Sequence, residues 1–234
     1  MQTVILAAGQ GKRLQPLTHE IPKAMVKING KPMLQIIIEQ LKSVHVDEVV
    51  VIVHYMKEKI QSYFGDGSQW GINIHYIEQK EMKGTGDALL YAEPYITEDR
   101  FLCIACDSLF ETNLLKNMLA HKTPGVITAK EVENPQRFGI LETQGDKVTR
   151  IIEKPEHPPT NLANFSVYLF PHAIFDKLKQ IHPSSRGEYE VTDAIQLLID
   201  DNYDFGYEVA DSIVDIGTIE QLNHAESLFY NSNI

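Results

Sequence analysis

The stretch "LAAGQGKRLQPLT" at residues 6–18 carries residue types suited to holding an anion. Gly9 and Gly11 bare the backbone where a short apolar strand ends, so N–H groups can approach a negative ligand there. Lys12 and Arg13 follow at once. Arg13 suits a triphosphate, because a guanidinium binds oxygens through a planar fork and stays charged. Further on, Pro22 stiffens the chain before a second cation, Lys23. Taken alone, Lys23 reads more readily as a solvated surface lysine.

Two common phosphate-binding patterns fail here. A Walker loop needs a Ser or Thr after Gly-Lys, and Arg13 stands there, while Leu6 occupies the place of its first glycine. A dinucleotide fingerprint needs a third glycine where the chain has Leu14. Cys103 and Cys106 form a C-x-x-C inside an apolar run. On a strand those positions face opposite ways, and no second pair completes a zinc site, so they read as core residues.

The elements that must position these residues alternate along the first half. Strands are predicted at 3–7, 48–53, 72–77, 101–106 and 125–129, and helices at 33–44, 57–64, 84–93 and 112–121. That alternation implies an α/β fold with a parallel sheet covered on both faces. After about residue 130, "FGILET", "KVTRIIEK" and "NFSVYLF" read as further strands, before helical patterning resumes at 171–180, 191–201 and 218–230. No linker or repeat separates the halves. The expectation is a single α/β domain over 1–234 with a mixed-sheet extension in its second half.

Composition narrows the partners. A net charge of −11 argues against nucleic acid held by a basic surface. Residues 1–31 nevertheless set Lys12, Arg13, Lys23, Lys27 and Lys31 against Glu20 alone, which suits a small anionic ligand. No apolar run reaches the roughly 20 residues of a membrane helix, and the N-terminus lacks the basic start of a signal peptide. A soluble, cytoplasmic protein without a membrane partner is expected.

"LAAGQGKRLQPLT" followed by "PKAMVKINGKPML" closely resembles the signature of the sugar-1-phosphate nucleotidylyltransferases, or nucleotide-sugar pyrophosphorylases. The resemblance continues to about residue 228 with the motifs in order. It implies a Rossmann-like three-layer α/β/α fold with a mostly parallel mixed sheet, in which about 1–130 form the nucleotide-binding half and about 131–234 the sugar-phosphate-binding half. Leu6, Ala7, Ala8, Gly9 and Gly11 would line the nucleotide, and Gln79, Gly84 and Thr85 in "EQKEMKGTGDAL" would read its base. Arg13 and Lys23 would be catalytic. Asp107 in "CDSLF" and Asp215 in "VDIGTIEQL" would hold Mg²⁺. Glu153 and Lys154 in "IIEKP", Asn164 in "NFSVYLF" and Glu188 in "GEYEVTDAI" would bind the sugar phosphate. Cys106, Ser166 and Ile219 depart from the family pattern and bear on the sugar's identity.

The implied reaction moves a nucleotidyl group from a nucleoside triphosphate to a sugar-1-phosphate, releasing pyrophosphate. The Gln79 amide favours UTP or dTTP, and glucose-1-phosphate or N-acetylglucosamine-1-phosphate leads among acceptors. No hexapeptide repeats follow, so no fused acyltransferase is expected, and a homo-oligomer is possible. Four alternatives remain: a non-catalytic nucleotide-sugar sensor, a mannose-1-phosphate guanylyltransferase, a phosphocholine cytidylyltransferase, and a glycosyltransferase. The last would usually carry D-x-D, where this chain has "DSL".

Overall fold

The computed structural model describes residues 1–228. In chain order its strands are β1 (Gln2–Ala7), β2 (Lys27–Ile28), β3 (Lys31–Pro32), β4 (Glu48–Val53), β5 (Asn73–Glu78), β6 (Arg100–Ala105), β7 (Ser108–Phe110), β8 (Gly125–Glu131), β9 (Gly139–Gln144), β10 (Lys147–Glu153), β11 (Leu162–Pro171), β12 (Phe205–Val209) and β13 (Ile213–Asp215). The helices are α1 (Met33–Ser43), α2 (Lys57–Phe64), α3 (Thr85–Leu90), α4 (Thr112–Ala120), α5 (Ile174–Leu178), α6 (Val191–Asp200) and α7 (Ile219–Leu228).

A nine-stranded sheet runs β5-β4-β1-β6-β11-β8-β12-β10-β9. β5, β4, β1 and β6 are parallel neighbours, as are β8 and β12. β10 and β11 pair antiparallel with every neighbour they have. β1 lies inside the sheet, which explains its unbroken apolar sequence: Val4 and Ile5 are wholly buried on opposite faces.

Helices cover both faces. Leu34, Ile37 and Leu41 of α1 join Ile60 of α2 and Leu115 of α4 over Ile5, Val49 and Val51. Leu89 of α3, Phe175 of α5 and Ile195 of α6 cover Val4, Val50 and Ile52. Each such side chain contributes about 1.5–3 kcal/mol on burial. Cys103 and Cys106 are free and buried in these two opposite clusters. A third cluster, holding Leu14, Ile28, Met33, Leu109, Ile216 and Leu222, packs the glycine turn against β7 and α7.

Several boundaries differ from the sequence reading. The helix expected over 171–180 is the short α5, because β11 continues to Pro171. The helix expected from residue 84 ends at Leu90, ahead of a separate turn at Glu93–Tyr95 that contains Pro94. Of the last expected helix, residues 229–230 lie outside the described residues. Among the described residues, no helix is long and apolar enough to cross a membrane.

Candidate active site

The carboxyl end of β1 opens into a cavity of about 510 Å³. Leu6, Ala8, Gly9, Gly11, Gln79, Gly84 and Thr85, all singled out above, line it together with Lys23, Asp107 and Glu188. Ala7 does not: strand alternation turns its side chain into the core between Leu6 and Ala8. Gly11 has φ +67°, and a Cβ there would come within 3.0 Å of Thr18 Cγ2 and 3.1 Å of Lys23 Cβ. That glycine therefore serves both the left-handed turn and the close passage of Lys23 beneath it. Thr18 Oγ1 fastens the turn by donating to the Gly11 carbonyl at 2.8 Å.

Gln79 follows β5 and is only 2% exposed. Its Nε2 donates to Asp87 Oδ2 at 2.7 Å and to the Gly84 carbonyl at 3.3 Å. Gly84, at φ +109°, lies against the backbone of Tyr189, where a Cβ would meet the Tyr189 carbonyl at 2.5 Å. The neighbouring amides seal that contact: Tyr189 N–H donates to the Lys83 carbonyl at 2.7 Å and Gly86 N–H to the Tyr189 carbonyl at 2.8 Å.

Lys23 pairs with Asp107, which stands just beyond β6. Burial would lower the Lys23 pKa, but Asp107, with Cys106 and Asp215 behind it, more than offsets this, so the net direction is upward and the ammonium stays charged. Asp215 ends β13, whose antiparallel pairing with β7 sets it opposite Ser108. Ser108 Oγ donates to Asp215 Oδ1 at 2.7 Å. Burial, then the nearby Asp107 charge, holds the Asp215 carboxyl well above the ordinary carboxylate range, although Ser108, Lys23 and Lys154 pull the other way.

Two further hollows adjoin. One is lined by Arg13, Asp107, Arg137, Lys154, Arg186 and Asp215, among others. Arg13 therefore leaves the turn that carries it and lies over Gly217, where a Cβ would stand 2.8 Å from Arg13 Nη2. The other hollow contains Glu153, Lys154, Asn164, Ser166 and Glu188. Here Glu153 accepts from Arg186 at 3.1 Å and from Thr192 Oγ1 at 3.2 Å, and forms an ion pair with Lys154 at 3.1 Å. Asn164 Nδ2 donates to the Tyr168 hydroxyl at 2.9 Å, while Asn164 Oδ1 is buried without a partner among the described residues. The register of β11 against β8 shifts between Phe165 and Tyr168, a bulge at the wall of the cavity.

Sequence reasoning missed Arg137 and Arg186. Both sit in polar loops without a motif of their own, although Arg186 stands two residues before Glu188. Asp87 was missed as the partner of Gln79.

Comparison with known proteins defines the class. The chain matches the Nucleotidyl transferase family over residues 2–232 and belongs to it. It is 40% identical to UTP–glucose-1-phosphate uridylyltransferase AglF of Haloferax volcanii, over 85% of this chain and 84% of that protein. Low-salt glycan biosynthesis nucleotidyltransferase Agl11 of the same organism is 41% identical over 87% of the chain, and bifunctional protein GlmU of Methanocaldococcus jannaschii 42% over 85%. The chain spans only 58% of Agl11 and 47% of GlmU. Among solved structures, a candidate glucose-1-phosphate thymidylyltransferase from Bacillus anthracis, in complex with sucrose, superposes with TM-score 0.89 at 27% identity, covering 100% of this chain and 97% of that one. A UDP-glucose pyrophosphorylase complexed with UDP-glucose shares the fold, with TM-score 0.88 at 24% identity over 98% of each chain. The family resemblance and the three-layer α/β fold expected from the sequence are borne out.

Proposed function

We propose that this protein transfers a nucleotidyl group from UTP or dTTP to a sugar-1-phosphate, glucose-1-phosphate or N-acetylglucosamine-1-phosphate, releasing pyrophosphate. One observation carries the reading: the Lys23–Asp107 pair stands in the cavity lined by the glycine turn, and Asp107 also lines the adjoining hollow that holds Arg13 and Lys154. A phosphate oxygen of the sugar attacks the α-phosphorus; that O–P bond forms as the bond to the β-phosphate bridge breaks. Both partners are anions, so positioning and charge compensation lower the barrier. The charged Lys23 ammonium faces the α-phosphate, Lys154 orients the attacking phosphate, and Arg13 faces the departing pyrophosphate. The partnerless Asn164 Oδ1 supports a sugar hydroxyl as its missing donor.

Asp107 and Asp215 fit a magnesium ion. They are two carboxylates whose mutual repulsion calls for a cation, and Mg²⁺ takes one or two carboxylates while sharing substrate phosphates and water. Among the described residues no three His, Cys, Asp or Glu side chains cluster as a complete protein-built site. Bound there, the ion would neutralise charge gathering on the α-phosphate.

Pyrophosphate release tests this, with UTP, dTTP, CTP, GTP and ATP each set against glucose-1-phosphate, N-acetylglucosamine-1-phosphate, mannose-1-phosphate and phosphocholine. Release requires both substrates, favours UTP or dTTP, and stops with EDTA. Lys23→Ala and Arg13→Ala lower kcat by roughly 10³ or more in folded protein, by analogy with other phosphate-facing cations. Silence across the panel from protein that still binds nucleotide would overturn the transferase in favour of a sensor.

A further inference from the structure

The geometry points to Asp87 as the positioning residue that fixes which way the Gln79 amide faces, and thereby which pyrimidine the cavity admits. The inference rests on the nucleotide reading above. A glutamine amide has a donating end and an accepting end, and either could be presented to a base. At Gln79 the choice is forced. The two groups against Nε2, the Asp87 carboxylate at 2.7 Å and the Gly84 carbonyl at 3.3 Å, can only accept. Both amide hydrogens are thereby taken up by acceptors of the protein itself. The hydrogen bonds of the Gln79 side chain among the described residues both run through Nε2, and Oε1 receives none, in a side chain that lines the cavity wall.

An oxygen in that position accepts. Uracil and thymine carry N3–H on the edge such an acceptor would read, whereas cytosine has a bare N3 there. Pairing Oε1 with N3 of cytosine would set two acceptors face to face, and a site built around one hydrogen bond rejects the analogue that cannot make it. Asp87 exerts this discrimination without touching the base. An ordinary role for Asp87 is that of an acidic residue in the first turn of α3. Such a role would affect stability and leave the choice of base unchanged.

The test is calorimetric titration of UTP and of CTP, each with magnesium, into wild-type protein, Asp87→Asn and Asp87→Glu. Asparagine has the shape of aspartate but can also donate, so the Gln79 amide is free to turn its NH₂ toward the base. The expected result for Asp87→Asn is weaker UTP binding, stronger CTP binding, and a UTP:CTP preference reduced by roughly 10- to 100-fold at unchanged Tm. Asp87→Glu, which still only accepts, keeps the wild-type preference. An unaltered preference in Asp87→Asn, or equal relaxation in both variants, overturns the inference while leaving the nucleotide reading standing. Wild-type protein that binds neither nucleotide overturns that reading, and this inference with it.

Discussion

Asp215 shows how a site residue works against its own fold. Its carboxyl is buried beside Asp107, so the folded chain holds that proton at pH values where the unfolded chain has lost it. The folded state then binds more protons than the unfolded state from about pH 4 upward, and stability falls as pH rises through the elevated folded value. In metal-free buffer with EDTA, Asp215→Asn, which keeps the Oδ1 acceptor for Ser108, should therefore melt higher than wild type. The advantage should be larger at pH 8 than at pH 5. A difference in Tm that is the same at both values would show that Asp215 carries no such penalty. At this scale the sequence made residue types legible but not partnerships. Glycines after a strand and two following cations announced an anion site. That Lys23 would close on Asp107, and that Arg13 would reach over Gly217, depended on segments remote in the chain.

At the end of β10 the backbone of Lys154 takes φ +42°, left-handed for a residue that is not glycine, and its N–H is fixed on the Phe138 carbonyl at 3.0 Å. Such a conformation costs on the order of 1–3 kcal/mol in a non-glycine residue. Its ion pair with Glu153 is partly exposed and offsets little of this. Lys154→Gly is expected to be about 1 kcal/mol more stable than wild type. It should also raise KM for the sugar-1-phosphate while leaving the KM for nucleotide near its original value. A less stable variant would mean that the bend is not strained; an unchanged sugar KM would mean that the lysine does not serve the phosphate. The strands of the first half were legible because parallel strands buried on both faces read as unbroken apolar runs. β12 and β13 were not: "FGYEV" and "IVD" are short and partly exposed, and only their pairing identifies them. The β2–β3 hairpin did carry a local signal. Asn29 and Gly30, at φ +48° and +89°, form an Asn-Gly turn.

Across the whole molecule, the cavity at the end of β1 is joined through backbone to the hollow that contains Asn164. Residues 83–86 and 189–191 are stitched by the Tyr189 and Gly86 amides and by the Val191 N–H on Thr85 Oγ1 at 3.1 Å. UTP added without sugar should therefore slow hydrogen exchange in both segments, because opening either one breaks the same bonds. Protection confined to residues 83–86 would show that the two sides move independently. Alternation of strands and helices was enough to reveal the layers, but this seam lies between stretches about a hundred residues apart and has no sequence period. The residues lining the cavity at the end of β1 all precede Tyr189, whereas Asp215 lies on β13, the last strand among the described residues. Leu6 and Ala105 in the cavity wall belong to the nine-stranded sheet, whereas Asp215 belongs to the separate two-stranded sheet of β13 and β7, so the cavity and its second carboxylate rest on different sheets.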